Sequence, residues 1–154
     1  MSVIKEVLGE IALKKIPARI SAYQSLIDAA EPIFELDGKR IETACKEHAK
    51  NLMFYDVMLQ ECKSIEETIR YKIDELESTL YRNLNENSNR VLGTRDIQQY
   101  IKSDPQFVNA QEVLMEVIVV KRKLEAIVEA LKSMGWSLNN ITKLRIAQLE
   151  DAIL

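Results

Sequence analysis

The stretch SDPQFVNAQEVLMEVIVVKRKLEAIVEALKSMGWSLNNITKLRIAQLEDAIL, Ser103 to Leu154, decides the fold class. Asp104 before Pro105 marks a helix start: Asp accepts from the free N–H groups of the first turn, and Pro loses nothing at the first helical position. Phe107, Ala110, Leu114, Val117, Leu124, Val128 and Leu131 then recur at steps of three, four or their sum, which draws an apolar stripe along one helix face. Gly135 offers a left-handed C-terminal cap and Ser137 an N-terminal one, so a second helix is expected, carrying Leu138, Ile141, Leu144, Ile146 and Leu149. The expectation is a helical hairpin ending in a short helix.

The rest of the chain extends this reading. With 154 residues but only 4 Gly and 3 Pro, turns must be few and helices long, and an all-α fold follows. The formal net charge of −3 supplies no overall basic field, so any nucleic-acid site must be local or concentrated by symmetry. Cys45 and Cys62 lie in one predicted helix about 25 Å apart, too far to bridge within a chain. Lys5, Glu6 and Glu10 interrupt the apolar core that a signal peptide would need. The most apolar window, Val113 to Val120, falls far short of the roughly 20 residues that span a bilayer. A soluble, intracellular protein is expected.

Val3, Ile4, Val7, Leu8 and Ile11 place a short amphipathic helix over residues 3–15, which Pro17 is expected to interrupt. A second segment, Ala18 to Phe34, carries Ile20, Tyr23, Leu26, Ile27 and Ala30 until Pro32 and Asp37-Gly38 break the pattern. Residues 1–38 thus form an N-terminal helical segment or arm, and 39–154 the main helical domain. From Lys39 to Ser88 there is neither Gly nor Pro, and Ile41, Cys45, His48, Leu52, Tyr55, Leu59, Cys62, Ile65, Ile69, Ile73, Leu76, Leu80 and Leu84 form a heptad-like seam. Such a helix would stretch about 75 Å, implying a break or an extended shape. Met53, Phe54, Val57 and Met58 widen its apolar surface, an excess that suits another subunit. Asn83 to Thr94 reads as a loop, and Thr94 as the cap of a short helix, Arg95 to Lys102, with Ile97 and Ile101 on one side.

No constellation points to catalysis. Cys45 and His48 share a helix face but make only half a zinc site, and their stripe is otherwise apolar. A carboxylate-bridged di-iron bundle needs two Glu-x-x-His pairs, and the sole histidine has Cys45 at the required place. The acidic run Glu66, Glu67, Asp74, Glu75 and Glu77 alternates with Arg70 and Lys72 at spacings that suit solvated helix pairs. No phosphate-cradling Gly loop occurs, and no nucleophile has a histidine base, so neither an enzyme, a cofactor nor a metal is expected. What remains is a series of basic residues interleaved with aromatics: Arg70, Tyr71, Lys72, Tyr81, Arg82, Arg90, Arg95, Tyr100 and Lys102. Guanidinium groups pair with phosphates and tyrosines stack on unpaired bases, although scattered cations on a helical protein are usually a solvated surface. Lys121-Arg122-Lys123 is a second basic cluster, suited to subunit contacts, DNA or solubility.

The run Val128-Glu129-Ala130-Leu131-Lys132-Ser133-Met134-Gly135-Trp136-Ser137-Leu138-Asn139-Asn140-Ile141 resembles the signature of the UvsY-type recombination mediator family of T-even and related phages. Met134 stands where that family usually has Arg, and Trp136 takes its aromatic position. Ala49-Lys50-Asn51-Leu52-Met53-Phe54-Tyr55 is similar to the family's first half, and the likeness extends over roughly Ile41 to Asp151. It implies a non-enzymatic, ring-like homo-oligomer that binds single-stranded DNA. The family's members help a RecA-like recombinase replace single-strand-binding protein, in the cytoplasm of a bacterial host. Where the family carries a basic Leu-Lys-Ala-Arg-Leu-Asp-Tyr stretch, this chain has Leu76-Glu77-Ser78-Thr79-Leu80-Tyr81-Arg82, with both basic residues replaced. DNA contact would then fall to Arg82, Arg90, Arg95 and Lys102, with Tyr81 and Tyr100 as stacking platforms. Leu114, Val117, Leu124, Val128, Leu131, Trp136 and Leu144 of the hairpin would build the oligomer. Residues 1–38 have no counterpart in the family. The rival reading is a structural or adaptor oligomer that joins proteins without binding DNA.

Overall fold

A computed structural model describes residues 2–88 and 92–147, with side chains from residue 15 onward. It contains helix α1 (Ser2–Asp28), a 3-10 turn (Glu31–Phe34), and helices α2 (Ile41–Asn87), α3 (Thr94–Ser103) and α4 (Pro105–Ile146). Among the described residues there is no strand, and the fold is all-α. None of the described helices is long and apolar enough to cross a membrane.

The uninterrupted run from Lys39 to Ser88 does form one helix, α2, of 47 residues. Its seam is the buried side, where Tyr55, Leu59, Cys62, Ile69 and Ile73 are all inaccessible. Cys45 is the exception. It is exposed, and Ala44 beside it is buried instead. The helix runs four residues past Asn83, the expected start of the loop, with Leu84 still half-buried on the seam. Asp37-Gly38 makes the expected turn: Gly38 adopts φ +71°, and the Lys39 N–H donates to the Leu36 carbonyl at 3.1 Å.

The chain forms two compact units, Met1–Ile20 with Cys62–Val120 and Ser21–Glu61 with Lys121–Leu154. In the first, Ile16, Ile20, Cys62, Ile69, Ile73, Ile97, Ile101, Leu114, Val117 and Val120 are buried. The Cys62 thiol donates to the Val117 carbonyl at 3.7 Å. In the second, the buried set is Tyr23, Ala30, Ala44, Tyr55, Met58, Leu59, Leu124, Val128, Leu131 and Leu138. Here the Tyr23 hydroxyl donates to the Glu61 carboxylate, the Tyr55 hydroxyl to the Leu26 carbonyl at 3.2 Å, and Lys123 to the Gln24 side chain at 3.0 Å.

Two breaks expected from the sequence are absent. Pro17 lies inside α1. An interior proline costs a helix about 3 kcal/mol, but burying an isoleucine side chain stabilises by about 1.5–3 kcal/mol, and both Ile16 and Ile20 are buried beside it. The expected C-terminal hairpin and its short terminal helix are likewise replaced by one helix, because α4 runs through Gly135 to Ile146. Gly135 has a different job. A Cβ there would stand 2.8 Å from Nε2 of His48, so the missing side chain makes room for the imidazole and no left-handed cap forms. Ser137, expected to cap a new helix, instead donates its hydroxyl to the Ser133 carbonyl one turn back, at 3.5 Å.

Candidate nucleic-acid interface

The residues expected to meet single-stranded DNA belong to the end of α2, the connection after it, and α3. Asp104 begins α4 as expected, accepting from the N–H groups of Gln106 (2.9 Å) and Phe107 (3.4 Å). The N-cap of α3 is Gly93, and Thr94 is the first helical residue, not the cap. Ile97 and Ile101, one turn apart and fully buried, anchor α3 in its unit and fix which way its other side chains face.

That anchoring sorts the candidate residues. At about 100° per residue, Arg95 and Lys102 project from one side of α3, roughly 130° from the buried pair, while Tyr100 projects roughly 80° the other way. Tyr100 therefore lies apart from the two cations. Together with Leu92, Asp96, Gln99 and Ser103 it lines a cleft of about 390 Å³. On α2, Arg82 is exposed opposite the buried seam, and Tyr81 is exposed on its flank. Arg90 lies outside the described residues.

Charge pairing separates these cations from others nearby. Arg70 donates to Glu66 at 2.8 Å, Lys72 to Glu75 at 2.7 Å, Lys46 to Glu42 at 2.7 Å and Lys39 to Glu47 at 2.7 Å. Arg82, Arg95 and Lys102 are exposed and, among the described residues, have no carboxylate within ion-pair distance. Their surroundings are nonetheless acidic, since Glu66 to Glu86 of α2 holds Glu66, Glu67, Asp74, Glu75, Glu77 and Glu86 against Arg70, Lys72 and Arg82. Phosphate attraction at a single copy of this site is weak as a result.

The seven residues expected to build an oligomer divide as well. Leu114, Val117, Leu124, Val128 and Leu131 are buried within the chain itself, where their heptad-like spacing faces the core. Trp136 and Leu144 are exposed, Trp136 at 71%. The outer face of α4 around Trp136 carries Lys132 one turn before it and Glu129 and Lys143 two turns to either side, a charged aromatic face that composition alone does not show. Helical phase measured against Leu131 and Leu138 was the signal available to find it.

Among the described residues His48 Nδ1 is buried without a hydrogen-bond partner, while Cys45 on the same helix is exposed. Among the described residues no group of three or more His, Cys, Asp or Glu side chains is placed to hold a metal ion. No family model, no curated protein and no solved structure matches the chain, so the resemblance over residues 128–141 stands on those residues alone.

Proposed function

We propose that this chain is a non-enzymatic, homo-oligomeric recombination mediator that binds single-stranded DNA and helps a RecA-like recombinase replace single-strand-binding protein. The observation that carries the reading is the set Arg82, Arg95 and Lys102, exposed cations with no acidic partner among the described residues, in a unit that also exposes the rings of Tyr81 and Tyr100. Unpaired cations bind phosphate without first breaking an ion pair, and exposed tyrosines stack on unpaired bases. A single copy with net charge −3 binds DNA poorly, whereas an oligomer repeats the site so that its phosphate contacts sum.

A second reading, an adaptor that joins proteins and ignores DNA, is favoured by Met53, Phe54 and Val57, an exposed apolar group on α2. Fluorescence anisotropy with single-stranded and duplex oligonucleotides across a salt series separates the two. The mediator reading expects salt-sensitive binding to single strands that weakens in Arg90→Ala/Arg95→Ala protein of unchanged helicity. Absence of binding at low salt leaves the adaptor.

A further inference from the structure

Trp136, the chain's one tryptophan, is 71% exposed on the side of α4 opposite buried Leu131 and Leu138. An indole is among the side chains that gain most from burial, and its N–H takes an acceptor when buried. It is flanked along its own face by Lys132 and Lys143, both exposed and, among the described residues, without a carboxylate partner.

The complement of this knob occurs elsewhere on the same chain. At the start of α4, Phe107, Val108 and Met115 form the apolar lining of an open cleft of about 500 Å³, with Glu112 and Glu116 on its wall and Lys102 at its edge. That volume lies within the range of sites that accept ring-bearing ligands. Methionine adapts its shape to an aromatic ring and contacts it favourably through sulfur. Glu112 and Glu116 are exposed and likewise lack a cationic partner among the described residues, so either carboxylate is free to accept the indole N–H. Opposite charges flank knob and hole, Lys132 and Lys143 on the one and Glu112 and Glu116 on the other, with exposed Glu129 also on the knob's face two turns before the indole.

We propose that Trp136 of one copy seats in the Phe107–Val108–Met115 cleft of a second copy, with Lys132 and Lys143 meeting Glu112 and Glu116. This rests on the oligomeric part of the function proposed above and assigns its interface. Knob and hole are different surfaces, so the contact is heterologous: a copy that has filled its neighbour's cleft still offers its own cleft to a third. Such contacts propagate head to tail, into a ring where the rotation closes and a filament where it does not. The flanking apolar side chains, Leu144 on the knob side and Val119 beyond the cleft, extend the buried surface beyond the indole.

Two crippled copies test the contact in the absence of DNA. Trp136→Ala lacks the knob and keeps the cleft, whereas Glu112→Lys/Glu116→Lys keeps the knob and spoils the cleft. Light scattering is expected to give an assembly for the native chain, with Trp136 emission moving to shorter wavelength as mass rises in a dilution series. Each variant alone should be monomeric, with its dissociation constant raised at least ~30-fold, the loss typical of a central interface aromatic. Mixed in equal amounts, they should form a dimer that does not grow, which also shows that both remain folded. The proposal is overturned by a native chain that stays monomeric, by assembly with unchanged Trp136 emission, or by a mixture that does not pair. Quenching of the monomer's emission by an oligonucleotide without any mass change would assign the indole to nucleic acid instead. Anisotropy on the native chain keeps the two readings apart, because a native chain that stays monomeric yet binds single strands removes this contact and leaves DNA binding intact.

Discussion

The five tyrosines divide between two environments, and the division separates what holds the chain together from what is free to meet a partner. Tyr23 and Tyr55, in the unit containing Ser21–Glu61, are 6% and 4% exposed, and their hydroxyls donate to Glu61 and to the Leu26 carbonyl. Tyr71, Tyr81 and Tyr100, in the unit containing Cys62–Val120, are 67%, 39% and 56% exposed. The same residue type is a satisfied core group in one place and an exposed ring in the other. What separates them is helical phase: Tyr55 sits on the α2 seam, whereas Tyr81 follows half-buried Leu80 of that seam by one residue and Tyr100 precedes buried Ile101 of α3 by one.

The largest expected effect tests the outer group together with its cations. Arg82→Glu/Arg95→Glu/Lys102→Glu should weaken single-strand binding by at least ~100-fold and lower the log–log salt slope by roughly 2, since each phosphate contact to a single strand contributes about 0.7. Anisotropy across a salt series measures both, and an unchanged slope would remove these three residues from the site. Tyr81→Ala and Tyr100→Ala come next. Stacking is worth about 1–3 kcal/mol per base, so each should cost five-fold or more in affinity while leaving the melting temperature within a degree or two. Because Tyr100 projects away from Arg95 and Lys102, a loss confined to Tyr81 would place the strand along α2 and away from the cleft beside Tyr100.

The inner group is tested by stability. Tyr55→Phe strands the Leu26 carbonyl and should cost about 1 kcal/mol at neutral pH. Burial also holds the Tyr55 phenol above its ordinary value of 10.0. A group whose folded value is raised contributes stability that is present below the unfolded value and disappears as pH climbs through the folded one. Native protein should therefore lose urea resistance from about pH 10 upward, and Tyr55→Phe should lose less over the same range. Equal losses would remove Tyr55 from the alkaline transition.

The smallest effect concerns the close approach in the same unit. Gly→Ala inside a helix ordinarily stabilises by about 1 kcal/mol. At Gly135 the new methyl would displace His48, so Gly135→Ala should fail to stabilise, and in a His48→Ala background it should regain most of that 1 kcal/mol. Additive effects in denaturant titrations would mean that the imidazole is not what keeps this position small.

Much of this division could be read along the chain, and some could not. The α2 seam, the Asp104 cap and the burial of Ile97 and Ile101 follow from spacing and from first-turn chemistry. Which cations are already engaged was only partly legible: Glu66 with Arg70 and Glu42 with Lys46 are neighbours one turn apart, but Lys39 with Glu47 spans eight positions across a helix start. The apolar stripe from Leu114 to Leu131 was equally clear, yet spacing cannot distinguish a face that meets another helix of the same chain from one that meets a second copy. In the fold that stripe is internal, and the apolar surface left outside includes Trp136 and Leu144, the cleft residues Val108 and Met115, and the group at Met53, Phe54 and Val57.

By itself the sequence determined an all-α chain with a long helical run from Lys39 to Ser88, because helix propensity, capping and periodicity act over four residues or fewer and are written locally. Only the tertiary structure decided the fate of Pro17 and Gly135. A proline in a helix is tolerated where the side chains around it gain enough by burial, and a helical glycine makes room where another side chain arrives from far along the chain. Ile16 and Ile20 supply the first condition, and His48, 87 residues before Gly135, supplies the second.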